Sequence, residues 1–175
     1  MTESPEARLA ALGLELPAAP AALAAYVPAV RTGRHVYTAG QLPMVDGKLL
    51  MTGKVGAQVS LAEAAALART AALNALAAVA SVTGRLSSVT RVVKMTGFVA
   101  STPDFTGQPQ VVNGASELLL EVFGEAGRHA RSAVAAPVLP FDSPVEIELI
   151  VEVSAGPDPA APRSAGLDPT APPSD

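Results

Sequence analysis

The most concentrated group of reactive side chains in this sequence is Arg128-His129-Ala130-Arg131-Ser132, which leads directly into an apolar segment. A guanidinium at the entrance of a strand can bind a small carboxylate through two parallel hydrogen bonds. Arg131 is therefore a candidate for holding an anionic substrate, and a surface or ion-paired arginine is the alternative. His129 shares the side of Arg131 if the backbone is extended, which makes it a further candidate base.

A second group consists of the carboxylates Glu146 and Glu148, which alternate with apolar residues in the run from Val145 to Val153. Residues two apart in a strand project to the same face, so both glutamates lie opposite the apolar row. In a cleft, one of them could act as a base. The alternative is the solvated outer face of an antiparallel strand, where such alternation is common.

Most other chemistry is disfavoured by the residues that the chain lacks. Cys 0 leaves no thiolate nucleophile, disulfide or cysteine metal site, and the two histidines, His35 and His129, are too few for most metal sites. The sequence contains no P-loop, dinucleotide-binding glycine turn, nucleophile elbow or H-E-x-x-H motif. Chemistry that needs no cofactor is what remains.

Composition also limits the partners and the location. A net charge of -4, Trp 0 and 3% aromatic residues argue against a nucleic-acid surface, which needs clustered cations and stacking platforms. The apolar runs at 16–30 and 70–84 are shorter than the roughly 20 residues of a membrane span and contain polar or proline residues. The first 16 residues lack a basic leader region. We therefore expect a cytoplasmic protein with no membrane contact.

The elements that must position these residues follow from turn and capping patterns. Ser60 followed by Glu63 is a capping box that opens an alanine-rich helix to about Val82. A strand is predicted at 89–100, a second helix from Pro109 to Gly124, and further strands at 132–139 and 145–153.

Two strands with tight turns are predicted before the first helix, in the segment 26–48, so the order is β-β-(β)-α-β-α-β-β. This order predicts an α+β fold, with a mixed sheet that two helices cover on one face. The chain of 175 residues divides into an N-terminal lead-in at 1–19, one domain at 20–154 and a Pro/Ala-rich tail at 155–175. The tail is predicted to be disordered because it cannot bury enough apolar surface.

Between about residues 20 and 154, the chain resembles the reactive intermediate deaminase family, RidA, also called the YjgF or endoribonuclease L-PSP family. The resemblance rests on many short motifs in the same order. These are Gly33 with Val36 to Pro43, Asn74, Val92-Val93-Lys94, Phe98-Val99, Asp104-Phe105, Asn113, Phe123, Ala130-Arg131-Ser132, Leu139-Pro140 and Val145 to Glu148.

The resemblance implies a chorismate-mutase-like α+β fold assembled as a homotrimer, with sites in clefts between subunits. It also implies cofactor-independent hydrolysis of enamine or imine intermediates, of the 2-aminoacrylate or 2-iminobutanoate type, to 2-oxo acids and ammonia. By position, Arg131 resembles the residue that holds the substrate carboxylate, and Glu148 the glutamate associated with the attacking water. Tyr26 resembles a tyrosine near the cleft.

The resemblance further implies that backbone groups near Gly40 and Ala133 complete the substrate pocket. Asn113 matches a family asparagine that either contacts substrate or forms a structural hydrogen bond at the second helix. The chain departs from the family at Ala39, where many members have serine, and at Ala133, where they often have cysteine. Both changes remove side-chain polarity from the expected pocket.

Two other functions stay open at this stage. The first is a non-catalytic trimer that binds small carboxylates through Arg131 as a sensor or interaction module. The second is an endoribonuclease or translation inhibitor, which the older family name suggests and which the acidic composition disfavours.

Overall fold

The computed structural model describes residues 3–18 and 25–155. Its strands are β1 (Ala29–Thr32), β2 (His35–Thr38), β3 (Met44–Val45), β4 (Lys48–Leu49), β5 (Val89–Ala100), β6 (Ala130–Ala136) and β7 (Val145–Val153). Its helices are α1 (Pro5–Ala11), α2 (Leu61–Thr83) and α3 (Gln108–Phe123). One five-stranded sheet has the order β1-β2-β7-β5-β6, and β3 and β4 form a separate hairpin.

The sheet is mixed, because β5 and β6 pair in parallel and the other neighbours are antiparallel. Helices α2 and α3 pack against each other and cover one face of the sheet. The predicted α+β class is confirmed, and so is the predicted order from α2 onward; before α2 the structure has four strands, two of them in the β3–β4 hairpin, preceded by α1. The last-but-one strand lies two to three residues earlier than the predicted 132–139, because Ala130 already pairs with Lys94 and the strand ends before Pro137, which has no N–H to donate.

Small side chains let the two large helices approach closely. Helix α2 begins with the predicted capping box of Ser60 and Glu63, and it ends at Gly84 in a left-handed conformation with a φ of 77°. A Cβ on Gly114 of α3 would lie 2.0 Å from the carbonyl oxygen of Ala65 in α2. Only glycine therefore fits at this contact between the helix backbones.

Among the described residues, α2 is the one helix that is long and apolar enough to cross a membrane. In its most apolar window, however, 56% is buried inside the protein. Helix α2 is thus a core helix that packs on the sheet beside α3.

The N-terminal helix α1 packs on α3 through Leu9, which is buried. The Oε1 atom of Glu6 accepts a hydrogen bond of 2.9 Å from the backbone N–H of Ser87. These contacts attach the lead-in to the domain. The predicted disordered tail lies outside the described residues from position 156 onward.

The two faces of the sheet differ in what covers them. The face toward α2 and α3 carries the buried row of β7, and the other face, here called the open face, carries its glutamates. Strand pairing assigns to the open face residues that include Val30, Tyr37, Lys94, Thr96, Phe98, Ser132, Val134, Glu146, Glu148 and Ile150. Both predicted glutamates therefore lie on the side of the sheet away from the helices.

Candidate functional site

A large cavity, of about 670 Å³, lies where the segment after β2 passes β7. Two residues expected at the site, Tyr26 and Gly40, line it, together with Glu146. The side chain of Tyr26 is 53% exposed, so its ring is accessible from solvent. This cavity is the main candidate site of the described part of the chain.

Gly40 and Glu146 are in direct contact within the cavity. Gln41 exchanges two backbone hydrogen bonds of 2.9 Å with Ile147, which brings the segment around Gly40 alongside β7. A Cβ on Gly40 would lie 1.6 Å from Oε1 of Glu146. The carboxylate of Glu146 therefore occupies the space that any larger residue at position 40 would fill.

The environment of Glu146 favours its protonated form. Burial raises the pKa of this carboxyl above its usual value of 4.5, and repulsion from Glu148 raises it further. Within the described residues, no hydrogen bond or ion pair is assigned to the carboxylate. A carboxyl with a raised pKa and free oxygen atoms holds a proton more readily than an ordinary glutamate and can both accept and return it.

Much of the cavity lining is apolar. This apolar lining includes Pro17, Pro28, Leu42, Met44, Pro140 and Phe141. The side-chain amide of Asn74 fixes part of it, because its Nδ2 donates to the carbonyl oxygens of Leu42 and Met44 at 2.8 and 2.9 Å. These two carbonyl oxygens are thereby used within the protein.

Glu148 does not line the large cavity. It lies in a smaller depression of about 140 Å³ on the open face, with Tyr37, Lys94 and Thr96. The Nζ atom of Lys94 donates a hydrogen bond of 2.8 Å to Oγ of Ser132. The role expected for Glu148 with the attacking water stays a prediction, and the geometry places Glu146 in the larger cavity.

Arg131 and Asn113 are adjacent, at the edge where β6 meets α3. Nη1 of Arg131 donates to Oδ1 of Asn113 at 2.7 Å and to Oγ of Ser116 at 3.1 Å. No described residue accepts from Nε or Nη2. The guanidinium is thus anchored by one nitrogen atom and offers its other edge, the one suited to a carboxylate.

His129 extends this anchor. Its Nδ1 lies 2.6 Å from the carbonyl oxygen of Gly127, which can only accept, so Nδ1 carries the proton and Nε2 accepts from the Ser116 hydroxyl at 3.2 Å. Burial lowers the pKa of His129, the charge of Arg131 lowers it further, and the bond to Gly127 partly offsets both. The neutral histidine orients the serine whose oxygen holds the arginine.

The two groups of predicted residues lie on opposite faces of the sheet. Arg131 pairs with Met95, which is buried under the helices, whereas Glu146 pairs with Phe98 on the open face. Ala133 shares the face of Arg131 and packs against the core. Within one chain the structure brings Asn113 and Ala133 close to Arg131, and Tyr26 and Gly40 close to Glu146, but does not bring the two groups together.

Sequence reasoning missed two residues at these sites, Ser116 and Phe141. Ser116 gives no signal because a serine within a helix is common, and Phe141 reads as an ordinary core aromatic. Glu146 was recognised as a candidate but not distinguished from Glu148, since both alternate on one face. Within residues 3–18 and 25–155, no group of three or more His, Asp or Glu side chains is placed to hold a metal ion.

Comparison with protein families gives one match over most of the chain. Residues 6–153 match the family described as "YjgF/chorismate mutase-like, putative endoribonuclease". The match includes both groups of site residues and extends through α1.

Individual relatives cover the same region. Protein TCP17 of Trypanosoma cruzi is 46% identical over 149 residues, which are 85% of this chain and 93% of that protein. The crystal structure of Atu1372 from Agrobacterium tumefaciens, a protein of unknown function, has 48% identity and a TM-score of 0.80, with 86% and 92% of the two chains covered. The structure of E. coli TdcF with bound serine has 28% identity and a TM-score of 0.56, with 78% and 94% covered.

Proposed function

The chain belongs to the YjgF/chorismate mutase-like family, and from this membership and the site geometry we propose that it is a cofactor-independent deaminase of reactive 2-imino or enamine acids. Such an enzyme converts an imine of a 2-oxo acid into the 2-oxo acid and ammonia. The observation that carries the proposal is the Glu146 carboxyl, with its raised pKa, lying against Gly40 in the cavity of about 670 Å³.

The chemistry suits a single carboxyl group. A protonated imine is already electrophilic, so water needs a position and a modest base. As the water oxygen bonds to the imine carbon, Glu146 accepts a water proton and the C=N electron pair moves to nitrogen. Glu146 then gives the proton to nitrogen, the C–N bond breaks to release ammonia, and the hydroxyl proton passes to the carboxylate as C=O forms.

The substrate carboxylate needs a cation, and the cavity does not supply one. The charged residues that line it are Asp46 and Glu146, both acidic. Arg131 has a free guanidinium edge but lies on the other face of the sheet of its own chain. We propose that Arg131 of one copy meets Glu146 of another, in a homotrimer whose sites lie between subunits.

The open face gives this assembly a surface. Tyr37 is 44% exposed, and Val30 and Val134 on the same face are also exposed apolar residues. Large apolar side chains left uncovered on one sheet face are typical of protein interfaces. Serine bound to TdcF supports an amino-acid-like ligand for this family member as well.

The test generates imines in situ with an amino-acid oxidase and measures their decay against semicarbazide as a competing trap. Wild-type protein should accelerate the release of ammonia. Glu146→Gln should lower kcat about 10²- to 10⁴-fold, as expected for a lost proton-transfer group. Arg131→Ala should raise KM about 10- to 100-fold, because a hydrogen-bonded charge pair is lost.

Matched controls lie close to each residue. Glu152 is on the same face of β7 but pairs with Arg34 at 3.0 Å, so Glu152→Gln should keep full activity. Full activity of Glu146→Gln with loss in Glu148→Gln would move the role to Glu148. No acceleration of any imine would refute the deaminase and favour the alternative, a small-carboxylate-binding trimer.

A further inference from the structure

The turn before β7 holds Phe141 in an unusual backbone conformation. Phe141 has a φ of 57° and a ψ of 22°, and Asp142 follows with a φ of 57°. The left-handed region is costly for a bulky residue, so such positions persist where the surroundings impose them and are concentrated at functional sites. Despite this, the Phe141 ring is 66% exposed rather than buried in the core.

Several hydrogen bonds impose this turn. The N–H of Asp142 donates to the carbonyl oxygen of Leu139, and its own carbonyl accepts from Gly53 at 2.9 Å. Ser143 is fully buried, and its hydroxyl donates to the carbonyl oxygen of Val145 at 2.8 Å. The backbone is therefore fixed on both sides of Phe141, and the ring is presented at the edge of the large cavity.

The cavity combines a reactive carboxyl with an apolar lining. Glu146 lies against Gly40, and Phe141, Leu42 and Met44 belong to the apolar lining of the same cavity. Because its charged lining is acidic, the cavity favours the cationic nitrogen of an iminium and repels the substrate carboxylate. The part of the substrate left to contact the apolar lining is its side chain.

The size of the cavity sets the size of that side chain. Cavities of about 300–1,000 Å³ hold drug-sized ligands, and this one measures about 670 Å³. A methyl or ethyl side chain would leave most of this space to water. An isobutyl, thioether or benzyl side chain would instead bury its apolar surface against Phe141.

We propose that the enzyme prefers 2-imino acids with large apolar side chains, and that Phe141 is a specificity-determining residue. This inference rests on the proposed deaminase function and adds the substrate class. Each methylene group of the substrate side chain that is buried against the apolar lining should raise kcat/KM about fourfold. The imine derived from leucine should then exceed the imine derived from alanine by tens of fold.

The experiment measures kcat/KM for imines generated from alanine, leucine and phenylalanine, with wild-type protein, Phe141→Ala and Phe141→Asn. Asparagine tolerates the left-handed backbone, so Phe141→Asn keeps the turn if the alanine variant unfolds. Both variants should lose at least tenfold on the leucine and phenylalanine imines and change little on the alanine imine. Val138→Ala, which removes an exposed residue that does not line the cavity, should behave as wild type.

A flat series, in which all three imines react equally fast with wild-type protein, would overturn the inference and leave the deaminase function standing. If wild-type protein prefers the leucine and phenylalanine imines and Phe141→Asn keeps the same preference in kcat/KM, the role of Phe141 would be overturned. Absence of reaction with every imine would refute the deaminase function itself, and the inference with it.

Discussion

Replacing Gly40 by alanine adds one methyl group in the space that the Glu146 carboxylate occupies. The new Cβ would lie 1.6 Å from Oε1, 2.6 Å from Cδ and 3.0 Å from Cγ of Glu146. All three atoms belong to the flexible end of one side chain. The carboxylate must therefore move away, while the backbone near position 40 can stay in place.

The folding cost of Gly40→Ala should be small. Alanine restricts the unfolded chain and gains about 0.4–1 kcal/mol, whereas a displaced Glu146 rotamer costs about 0.5–1.5 kcal/mol. The two effects nearly cancel. Catalysis should respond far more strongly, because misplacement by about 1 Å costs on the order of 100-fold in rate.

The assay compares the thermal unfolding midpoint with kcat for imine hydrolysis. We expect an unfolding midpoint close to that of wild type and a kcat lower by about 100-fold or more. The double variant Gly40→Ala/Glu146→Gln is the control: if Gly40 acts only through Glu146, it should be no slower than Glu146→Gln alone. A folded Gly40→Ala protein with wild-type kcat, or fully multiplicative losses in the double variant, would refute this reasoning.

Three further changes test other parts of the structure. Glu146→Gln should raise the unfolding midpoint, and the increase should be largest at pH values above the raised pKa of Glu146. Folded wild-type protein binds the Glu146 proton more tightly than the unfolded chain does, so it loses stability as pH rises from 4.5 through the raised pKa. Unfolding between pH 4 and 8 measures this effect, and parallel curves of midpoint against pH for the two proteins would contradict it. Ser116→Ala should raise KM about two- to tenfold at constant kcat, because Arg131 loses the hydrogen bond that its Nη1 donates to Oγ of Ser116. Ser116→Thr keeps the hydroxyl group and should restore KM. A changed kcat in Ser116→Ala would exclude a positioning role for Ser116. Gly114→Ala should cost about 1–3 kcal/mol of folding free energy, because the added methyl group separates α2 from α3. The urea midpoint of unfolding should fall, and the activity per folded molecule should stay unchanged. An unchanged midpoint would contradict the close contact between the two helices.

The fold could be predicted because its signals are local. The Ser60–Glu63 capping box marks the start of α2, and the strict alternation from Val145 to Val153 defines β7 and its buried face. These patterns depend on backbone periodicity, which neighbouring elements did not override. The family motifs then confirmed the order of the elements.

The site could be predicted only in part, because it depends on contacts distant in sequence. Alternation places Glu146 and Glu148 on one face but cannot say which one meets Gly40. The antiparallel bridge between Gln41 and Ile147, outside the regular strands, brings Gly40 beside these glutamates, and the side-chain conformation of Glu146 makes the contact. The link from Ser116 to Arg131 likewise depends on the parallel pairing that brings β6 beside α3.

The positions of Arg131 and Glu146 on opposite faces of the sheet have a genetic consequence. If each reaction uses the arginine of one subunit and the glutamate of its neighbour, two inactive proteins can complement each other. In the proposed trimer, every mixed assembly of Arg131→Ala and Glu146→Gln chains contains one interface where both intact residues meet, and such interfaces are about a quarter of all interfaces after random assembly at equal amounts. Cells carrying both defective alleles should then regain activity that neither allele provides alone.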